Sequence, residues 1–432
     1  MNSSKYNANV LKVINNNHYF FDRYGNFMHH EMAEFLIRKL NIISLDGQIY
    51  FYDGKKYINN EDKLKFYMTK LVNSLRESQR KEVLYTIRYT AEEKDHAPAR
   101  YIGVLNGVYD IKQQRFINHS PDLVFTGLIN AKYNPAAKCK YIDEMFETIS
   151  GGDNEIIELI KEMIGYTIYR ENLLEKSFIL KGNGGNGKST LLKMIAAFLG
   201  EENITSLSLS QLDEKFNTGL LKGKLANIGD DISYTTIKDT SVFKKLSTGE
   251  YVTAEFKHQD PFQFRSYAKL IFSANRIPRM NDSSLGLADR FIIIPMNARI
   301  RGTKKQDHQF ENRVTTEEAR SYLLNIAIES LTKLLHRGAF TIPQIVQEEL
   351  KDFNIANDPI KEWLGECEEN GTDINMMPVQ EAFNNYKLFC KNNGYKHPLS
   401  KKKLTMELKN YGYLSQRATV AGKQIRVYVS KR

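Results

Sequence analysis

Residues 182–189 read Gly182-Asn183-Gly184-Gly185-Asn186-Gly187-Lys188-Ser189 and satisfy the pattern G-x-x-x-x-G-K-[ST]. Residues 177–180 before this stretch have the character of a buried strand, and residues 191–199 after it carry apolar side chains at helical spacing up to Gly200. A strand, a glycine loop and a helix in this order predict a phosphate-binding loop, in which backbone N–H groups surround the phosphates. Lys188 would neutralise the β and γ oxygens of ATP and the Ser189 hydroxyl would bind Mg²⁺, so we expect ATP to bind residues 182–190, which end at Thr190.

Further polar residues follow predicted strands in the same region. Asp230 and Asp231 come after the apolar residues 225–229, and Asn275 ends the strand-like stretch 269–275. We expect Asp230 to bind Mg²⁺ together with Ser189, and Asp231 and Asn275 to orient the attacking water. The alternative is that these residues form ordinary solvated turns, in which Asp and Asn are common.

Three cationic residues have two readings each. Arg290 precedes an apolar strand-like stretch and either forms a structural salt bridge or reaches the γ-phosphate bound by a neighbouring subunit. Lys257 and His258 lie between aromatic residues, a setting that suits contact with nucleic-acid phosphates but also fits a solvated hairpin tip. The predicted catalytic set is Lys188, Asp230, Asp231, Asn275 and Arg290.

Composition narrows the class of protein. The chain has 432 residues, of which 41% are apolar and 26% charged, so we expect a folded protein of two to four domains rather than a disordered one. The three cysteines show no C-x-x-C spacing, which favours a protein of the reducing cytoplasm. The sequence has no long apolar segment, so we expect a soluble protein with no membrane partner.

The positive charge is concentrated at one end of the chain. The net charge is +10, and residues 396–432 contain ten basic residues and one acid, which gives this stretch a charge of 10 − 1 = +9. Such a segment favours a polyanionic partner, and we expect Lys401, Lys402 and Lys403 to contact duplex DNA.

Changes in pattern along the chain predict three domains. We assign residues 1–140 to a mixed α/β N-terminal domain, 141–340 to an α/β domain that carries the glycine loop, and 341–432 to a basic C-terminal domain. Two further sequence features are not interpreted as functional sites. His29-His30-Glu31 lacks the second histidine of a zinc protease, and Trp363 is expected to pack inside a helical unit.

The order of these motifs resembles the superfamily 3 helicases, within them the phage, plasmid and poxvirus types that are linked to primases. The resemblance rests on the glycine loop, Asp230-Asp231, the stretch 245–258, Asn275 and Arg290. It implies an AAA+-like P-loop ATPase core, a C-terminal winged-helix-like domain, a hexameric ring with Arg290 acting on the neighbour's ATP, and a β-hairpin that carries Lys257 and His258 into the central channel. Asp231 departs from the wider ATPase class, where glutamate is common, and the N-terminal segment lacks the paired carboxylates of a primase-polymerase module.

These observations predict an ATP-dependent DNA helicase that replicates a phage, a plasmid or another mobile element. Its expected partners are DNA, further copies of itself and a separate primase. A replication initiator or loader that uses the loop as a nucleotide switch remains open. A small-molecule P-loop kinase would leave the +9 segment unexplained.

Overall fold

The computed structural model describes residues 17–214, 216–229, 240–257, 260–277, 285–303, 307, 309–393, 395, 398–420 and 423–431. Asp230, Asp231 and His258 lie outside these ranges. Within the described residues, no helix is both long enough and apolar enough to cross a membrane.

The N-terminal unit combines three helices with two small sheets. Its first sheet has the order β3-β2-β1-β4, and its second has the order β5-β6-β7. Strands β1 and β2 are joined by Asp46 and Gly47, both with positive φ, which is the two-residue turn that matches the twist of a hairpin. The elements of this unit are α1 (His29–Leu40), β1 (Ile43–Leu45), β2 (Gln48–Tyr52), β3 (Tyr57–Ile58), α2 (Glu61–Leu71), α3 (Glu77–Thr90), β4 (Glu92–Glu93), β5 (Tyr101–Val104), β6 (Gly107–Asp110) and β7 (Arg115–Ile117).

A five-stranded sheet forms the centre of the molecule. All its pairings are parallel and its strand order is β14-β8-β13-β10-β9, so every carboxyl end lies at the same edge. Every residue of β13 and β14 is buried, as expected for a parallel sheet covered on both faces. The elements of this unit are α4 (Lys140–Ser150), α5 (Asn154–Thr167), β8 (Ser177–Lys181), α6 (Lys188–Leu199), β9 (Ile204–Thr205), β10 (Ala226–Gly229), α7 (Ser241–Thr248), β11 (Tyr251–Ala254), β12 (Phe262–Arg265), β13 (Lys269–Ala274), α8 (Leu285–Ala288), β14 (Phe291–Pro295), α9 (Phe310–Val314) and α10 (Glu317–Arg337).

The N-terminal unit and the central sheet share a core. Ile102 and Ile129 belong to the same apolar cluster as Ile142 and the residues under the sheet. Arg170, which follows α5, donates hydrogen bonds to the carbonyl oxygens of Ala97 at 2.8 Å and Tyr101 at 3.1 Å. Burial lowers the pKa of Arg170, and electrostatic interactions with Tyr267 and Glu171 offset part of that effect. The apolar core therefore continues across the boundary predicted at residue 140.

Helix α11 (Gln344–Ala356) packs on the edge strand of the sheet. Phe353 of this helix lies with its ring centroid 5.6 Å from that of Phe291 in β14, and it belongs to the core of the central unit. Helix α11 therefore packs with the central unit, because the apolar side of this helix faces the sheet.

The C-terminal unit has its own core of aromatic and aliphatic side chains. Trp363 is buried there and donates from Nε1 to Oδ1 of Asn385 at 3.0 Å, so it packs within a helical unit as the sequence predicts. Leu404, Leu408 and Tyr428 belong to the same core. The elements are α12 (Pro359–Glu369), α13 (Val379–Asn392), α14 (Lys401–Glu407), β15 (Tyr413–Val420) and β16 (Lys423–Ser430).

Candidate nucleotide site and DNA-contacting surfaces

The glycine loop connects the end of β8 to the start of α6. It lies at the carboxyl edge of the sheet, which is where open α/β sheets bind ligands. Gly187 has φ 91°, a conformation that side chains rarely adopt. At Gly182 an added Cβ would lie 2.4 Å from the carbonyl oxygen of Met296, so only glycine fits there.

Lys188 begins α6 and points back into the loop. Its side chain is only 7% exposed, and Nζ donates to the carbonyl oxygen of Gly182, to that of Asn183 at 3.4 Å and to Oδ1 of Asn186 at 3.2 Å. These hydrogen bonds hold the ammonium group of Lys188 inside the concavity that the loop encloses. Ser189 and Gly184, in contrast, are exposed to solvent.

The side chain of Asn186 holds the glycine loop to a neighbouring segment. Its side chain is buried, and Nδ2 donates to the carbonyl oxygen of Met296 at 2.7 Å, just beyond the end of β14. Gly185 is held from the same segment, since its carbonyl oxygen accepts from the backbone N–H groups of Ile300 at 2.9 Å and Arg301 at 3.1 Å. The segment after β14 therefore fixes the shape of the loop.

A cavity of about 210 Å³ opens next to the glycine loop. Gly185, Gly187 and Thr190 form its wall on the loop side. The rest of the lining is half apolar and half polar: Met145 and Thr148 from α4, then Ile300, Arg301, Asp307 and Phe310. The sequence reasoning missed this wall, because its residues lie far from the loop along the chain and form no motif.

Asn275 is placed beside the loop by strand pairing. Ala274, the last residue of β13, pairs with Lys181, and its carbonyl oxygen accepts from the N–H of Gly182 at 2.9 Å. Asn275 follows directly and is exposed at this edge. Strand β10, which precedes Asp230 and Asp231 in the chain, ends at the same edge of the sheet with Gly229 paired to Phe272.

Arg290 lies at the opposite edge of the sheet. It precedes β14, and its carbonyl oxygen accepts from the N–H of Ser177, the first residue of β8, at 2.7 Å. The glycine loop begins after the last residue of β8, and five strand steps of about 3.3 Å amount to roughly 16 Å. Within one chain the structure does not bring Arg290 and Lys188 together.

Lys257 lies at the end of an antiparallel hairpin. Strands β11 and β12 pair from Tyr251 opposite Arg265 to Ala254 opposite Phe262, and residues 255–261 connect them. Phe256 and Phe262 stack at the base of this connection with ring centroids 5.1 Å apart. Lys257 is exposed beyond the stacked pair, and its neighbour His258 lies outside the described residues.

Lys401, Lys402 and Lys403 form the first turn of α14 and are all exposed. Nζ of Lys401 donates to Oε1 of Gln380 at 2.8 Å. The lysines therefore lie on the outer surface of the C-terminal unit, while the next residue, Leu404, anchors the same helix in the core.

Comparison with protein families gives three matches along the chain. Residues 14–151 match the family described as D5 N terminal like, and residues 355–431 match the family described as Poxvirus D5 protein-like. Residues 180–290, which include the glycine loop, match a family of unknown function, DUF5906.

One relative and two solved structures extend these matches. A protein of Acanthamoeba polyphaga mimivirus named "Putative helicase" is 26% identical over 208 residues, which cover 45% of this chain and 21% of that protein. The chain thus spans about a fifth of the length of this relative. A structure of the apo C-terminal region of NrS-1 has a TM-score of 0.56 at 15% identity and covers 92% of this chain and 98% of that one. A second structure of the same region has a TM-score of 0.52 at 14% identity, with the same coverage. The likeness is one of fold, a mixed α/β architecture with a parallel sheet.

Proposed function

We propose that this chain, which belongs to the primase-associated helicases of superfamily 3 type, is an ATP-driven DNA helicase. It would work as a homo-oligomeric ring of six subunits in the replication of a phage, a plasmid or another mobile element. The observation that carries the proposal is the buried Lys188 inside a glycine loop at the carboxyl edge of the parallel sheet. A cation in that position has a direct use only if phosphate enters the loop.

The nucleotide would extend from the loop into the neighbouring cavity. The backbone N–H groups of Gly182, Asn183, Gly184, Gly185, Asn186 and Gly187 and the Lys188 ammonium would bind the phosphates, with Ser189 and Thr190 at the start of α6. The base would lie against Met145, Ile300 and Phe310, since an apolar wall with a few polar groups is the usual environment of a bound heterocycle.

Magnesium suits the oxygen donors of the two residues predicted to bind it. The Ser189 hydroxyl and the Asp230 carboxylate are hard donors of the kind that Mg²⁺ prefers, and when bound the ion would neutralise charge on the phosphates. Asn275, one residue beyond the strand that pairs with β8, would orient the attacking water together with Asp231.

Arg290 would complete the ATP site of the neighbouring subunit. Its position at the far edge of the sheet argues against action on the ATP of its own chain. Action in trans would require a head-to-tail ring that brings this edge against the glycine loop of the next subunit. A guanidinium donated from a neighbour stabilises charge on the transferred phosphoryl group and makes hydrolysis depend on assembly.

DNA would be held at two surfaces. Lys257 and His258 on the hairpin would contact the strand in the channel, and along the chain the hairpin lies between β10 and β13, with α7 between β10 and the hairpin. The chain from the end of β12 to the start of β13 is short, so movement at the γ-phosphate would reach the DNA contact through β13. The lysines of α14, Lys401, Lys402 and Lys403, would contact duplex DNA outside the ring.

The hairpin provides the experiment that tests this function. We expect wild-type protein to hydrolyse ATP faster when single-stranded DNA is added. The double variant Lys257→Ala/His258→Ala should lose that stimulation while it retains the rate without DNA, because the proposed nucleotide site uses neither residue. A steady-state ATPase assay with and without a poly-dT oligonucleotide measures both rates.

A matched control is available on α10. Lys333 and His336 are exposed there, so Lys333→Ala/His336→Ala removes the same two residue types away from the hairpin and should behave as wild type. Stimulation that persists in the hairpin variant would place the DNA contact elsewhere. A wild-type rate that ignores DNA would favour the kinase alternative.

A further inference from the structure

The β15–β16 hairpin of the C-terminal unit is only partly packed. Its strands pair over eight positions, from Tyr413 opposite Ser430 to Val420 opposite Lys423, which corresponds to about 27 Å at 3.4 Å per residue. Val427 and Tyr428 are buried near one end. Towards the turn, the described side chains are exposed or half-buried. Roughly half of the hairpin therefore extends beyond the body of the unit.

Two arginines face each other on this projecting half. Arg417 and Arg426 are direct cross-strand partners, and both are exposed. Side chains directly opposite in an antiparallel pair have Cβ atoms about 4.5–5.5 Å apart, and like charges at that distance repel. Among the described residues neither arginine has an acidic partner within ion-pair distance. The pairing is unfavourable for the free protein, so it points to a ligand that supplies negative charge.

The same face of the hairpin is turned towards the lysines of α14. Tyr428 pairs with Ser415, and Arg426 with Arg417; the two pairs are two positions apart along the strands, so they lie on one face of the ribbon. The Tyr428 hydroxyl and Oγ1 of Thr405 in α14 are 2.8 Å apart, which fixes this face against the helix that begins with Lys401.

We infer that Arg417 and Arg426 form a phosphate-binding pair for the backbone of duplex DNA, on a surface continued by Lys401, Lys402 and Lys403. The pair binds one phosphate between two guanidinium groups, and this removes their mutual repulsion. The inference rests on the proposed function for the identity of its ligand, and it adds a site that the glycine loop and the channel hairpin do not include.

Single charge reversal separates a binding pair from a solubilising one. Arg417→Glu, or in reciprocal form Arg426→Glu, replaces a repulsive cross-strand pair by an attractive one. The melting temperature at low salt should therefore rise by about 2–4 °C. The same variant loses the one phosphate contact that the pair makes, so the magnitude of the slope of log K against log salt for a labelled duplex should fall by about 0.9, with lower affinity at 0.1 M salt.

Binding is measured on the full chain without nucleotide, by fluorescence anisotropy with a 30-base-pair duplex and with a single strand of equal length. Lys361→Glu changes the charge of the same unit equally, at an exposed position on α12, and should leave the salt slope unchanged. The inference predicts a loss for duplex that exceeds the loss for single strand.

Two results would overturn the inference. If the variant melts at a higher temperature but keeps the wild-type salt slope, the two arginines of the wild-type protein do not contact phosphate. A variant that melts lower, with the slope of the control, has a pair that serves the fold. The binding assay contains no ATP, so its result does not depend on unwinding. If the protein failed to unwind DNA in a separate assay with ATP, that failure would contradict the proposed function and would leave the anisotropy result unchanged.

The assay requires point variants, because deletion of residues 396–432 would remove Leu404, Leu408 and Tyr428 from the core of the C-terminal unit. A deletion would weaken DNA binding through unfolding, whichever side chains contact the phosphates.

Discussion

Lys188→Ala abolishes ATP hydrolysis in our account, with a fall in turnover on the order of 10²–10³-fold or more, because the variant loses the cation that offsets charge on the β- and γ-phosphates. Its side chain bonds to atoms of the loop, at Gly182, Asn183 and Asn186. We therefore expect far-UV circular dichroism and mass in solution to match wild type. Lys193→Ala is the matched control, since this lysine lies on the same helix with 59% of its side chain exposed and should leave turnover unchanged.

A companion variant tests the cavity without touching the phosphates. Met145→Trp fills the apolar wall, so we expect KM for ATP to rise at least tenfold, about 1.4 kcal/mol of binding, while inhibition by inorganic tripolyphosphate stays as in wild type. Lys188→Ala should weaken both ligands. Full ATPase activity in Lys188→Ala would exclude the glycine loop from the mechanism. An unchanged KM for ATP in Met145→Trp would show only that the base binds outside this cavity.

The second large effect concerns assembly. Arg290→Ala and Lys188→Ala should each be inactive alone, yet an equimolar mixture should recover activity, up to about a quarter of the wild-type rate in randomly mixed rings. A functional site needs an intact loop from one subunit and an intact arginine from the next, and each requirement is met with a chance of about one half. The structural reason is the separation between Arg290 and the glycine loop across the length of β8.

Mixing must be demonstrated for the result to count. Subunits with different fluorescent labels report mixed rings by energy transfer, and the ATPase assay is made on the same sample. Mixed rings that are as inactive as the separate variants would contradict action in trans. Arg290 would then be assigned to a structural salt bridge, the alternative that the sequence leaves open.

The local part of the nucleotide site could be predicted from the sequence, and the rest could not. The strand, loop and helix around Gly187 follow from short-range rules: buried strand character, a conformation open to glycine, and apolar spacing along α6. The hairpin that presents Lys257 is implied by the resemblance to the superfamily 3 helicases rather than by these local rules.

Features that depend on the order of strands are absent from local patterns. Asn275 lies next to Gly182 because β13 pairs with β8, and Arg290 lies at the far edge because β14 pairs with β8 on the other side. The cavity wall joins Met145 to Ile300 and Phe310 across more than a hundred residues of chain. Asn186 satisfies the motif as a variable position, yet its side chain anchors the loop to the segment after β14.

The C-terminal unit illustrates a second limit. Its charge is visible in the sequence, but the cross-strand partner of Arg417 is set by the register of β15 and β16, and a shift by one residue would place the two arginines on opposite faces. The core contribution of Leu404, directly after three lysines, likewise emerges only once α14 is packed.

Strand displacement tests the central claim most directly. A forked DNA duplex with one labelled strand is mixed with wild-type protein, Mg²⁺ and ATP, and release of the labelled strand is followed over time beside Lys188→Ala and beside wild type with a non-hydrolysable ATP analogue. We expect release with wild type and ATP alone. ATP turnover that is stimulated by DNA but releases no strand would contradict a helicase and would identify the chain as an initiator or loader that uses its nucleotide as a switch.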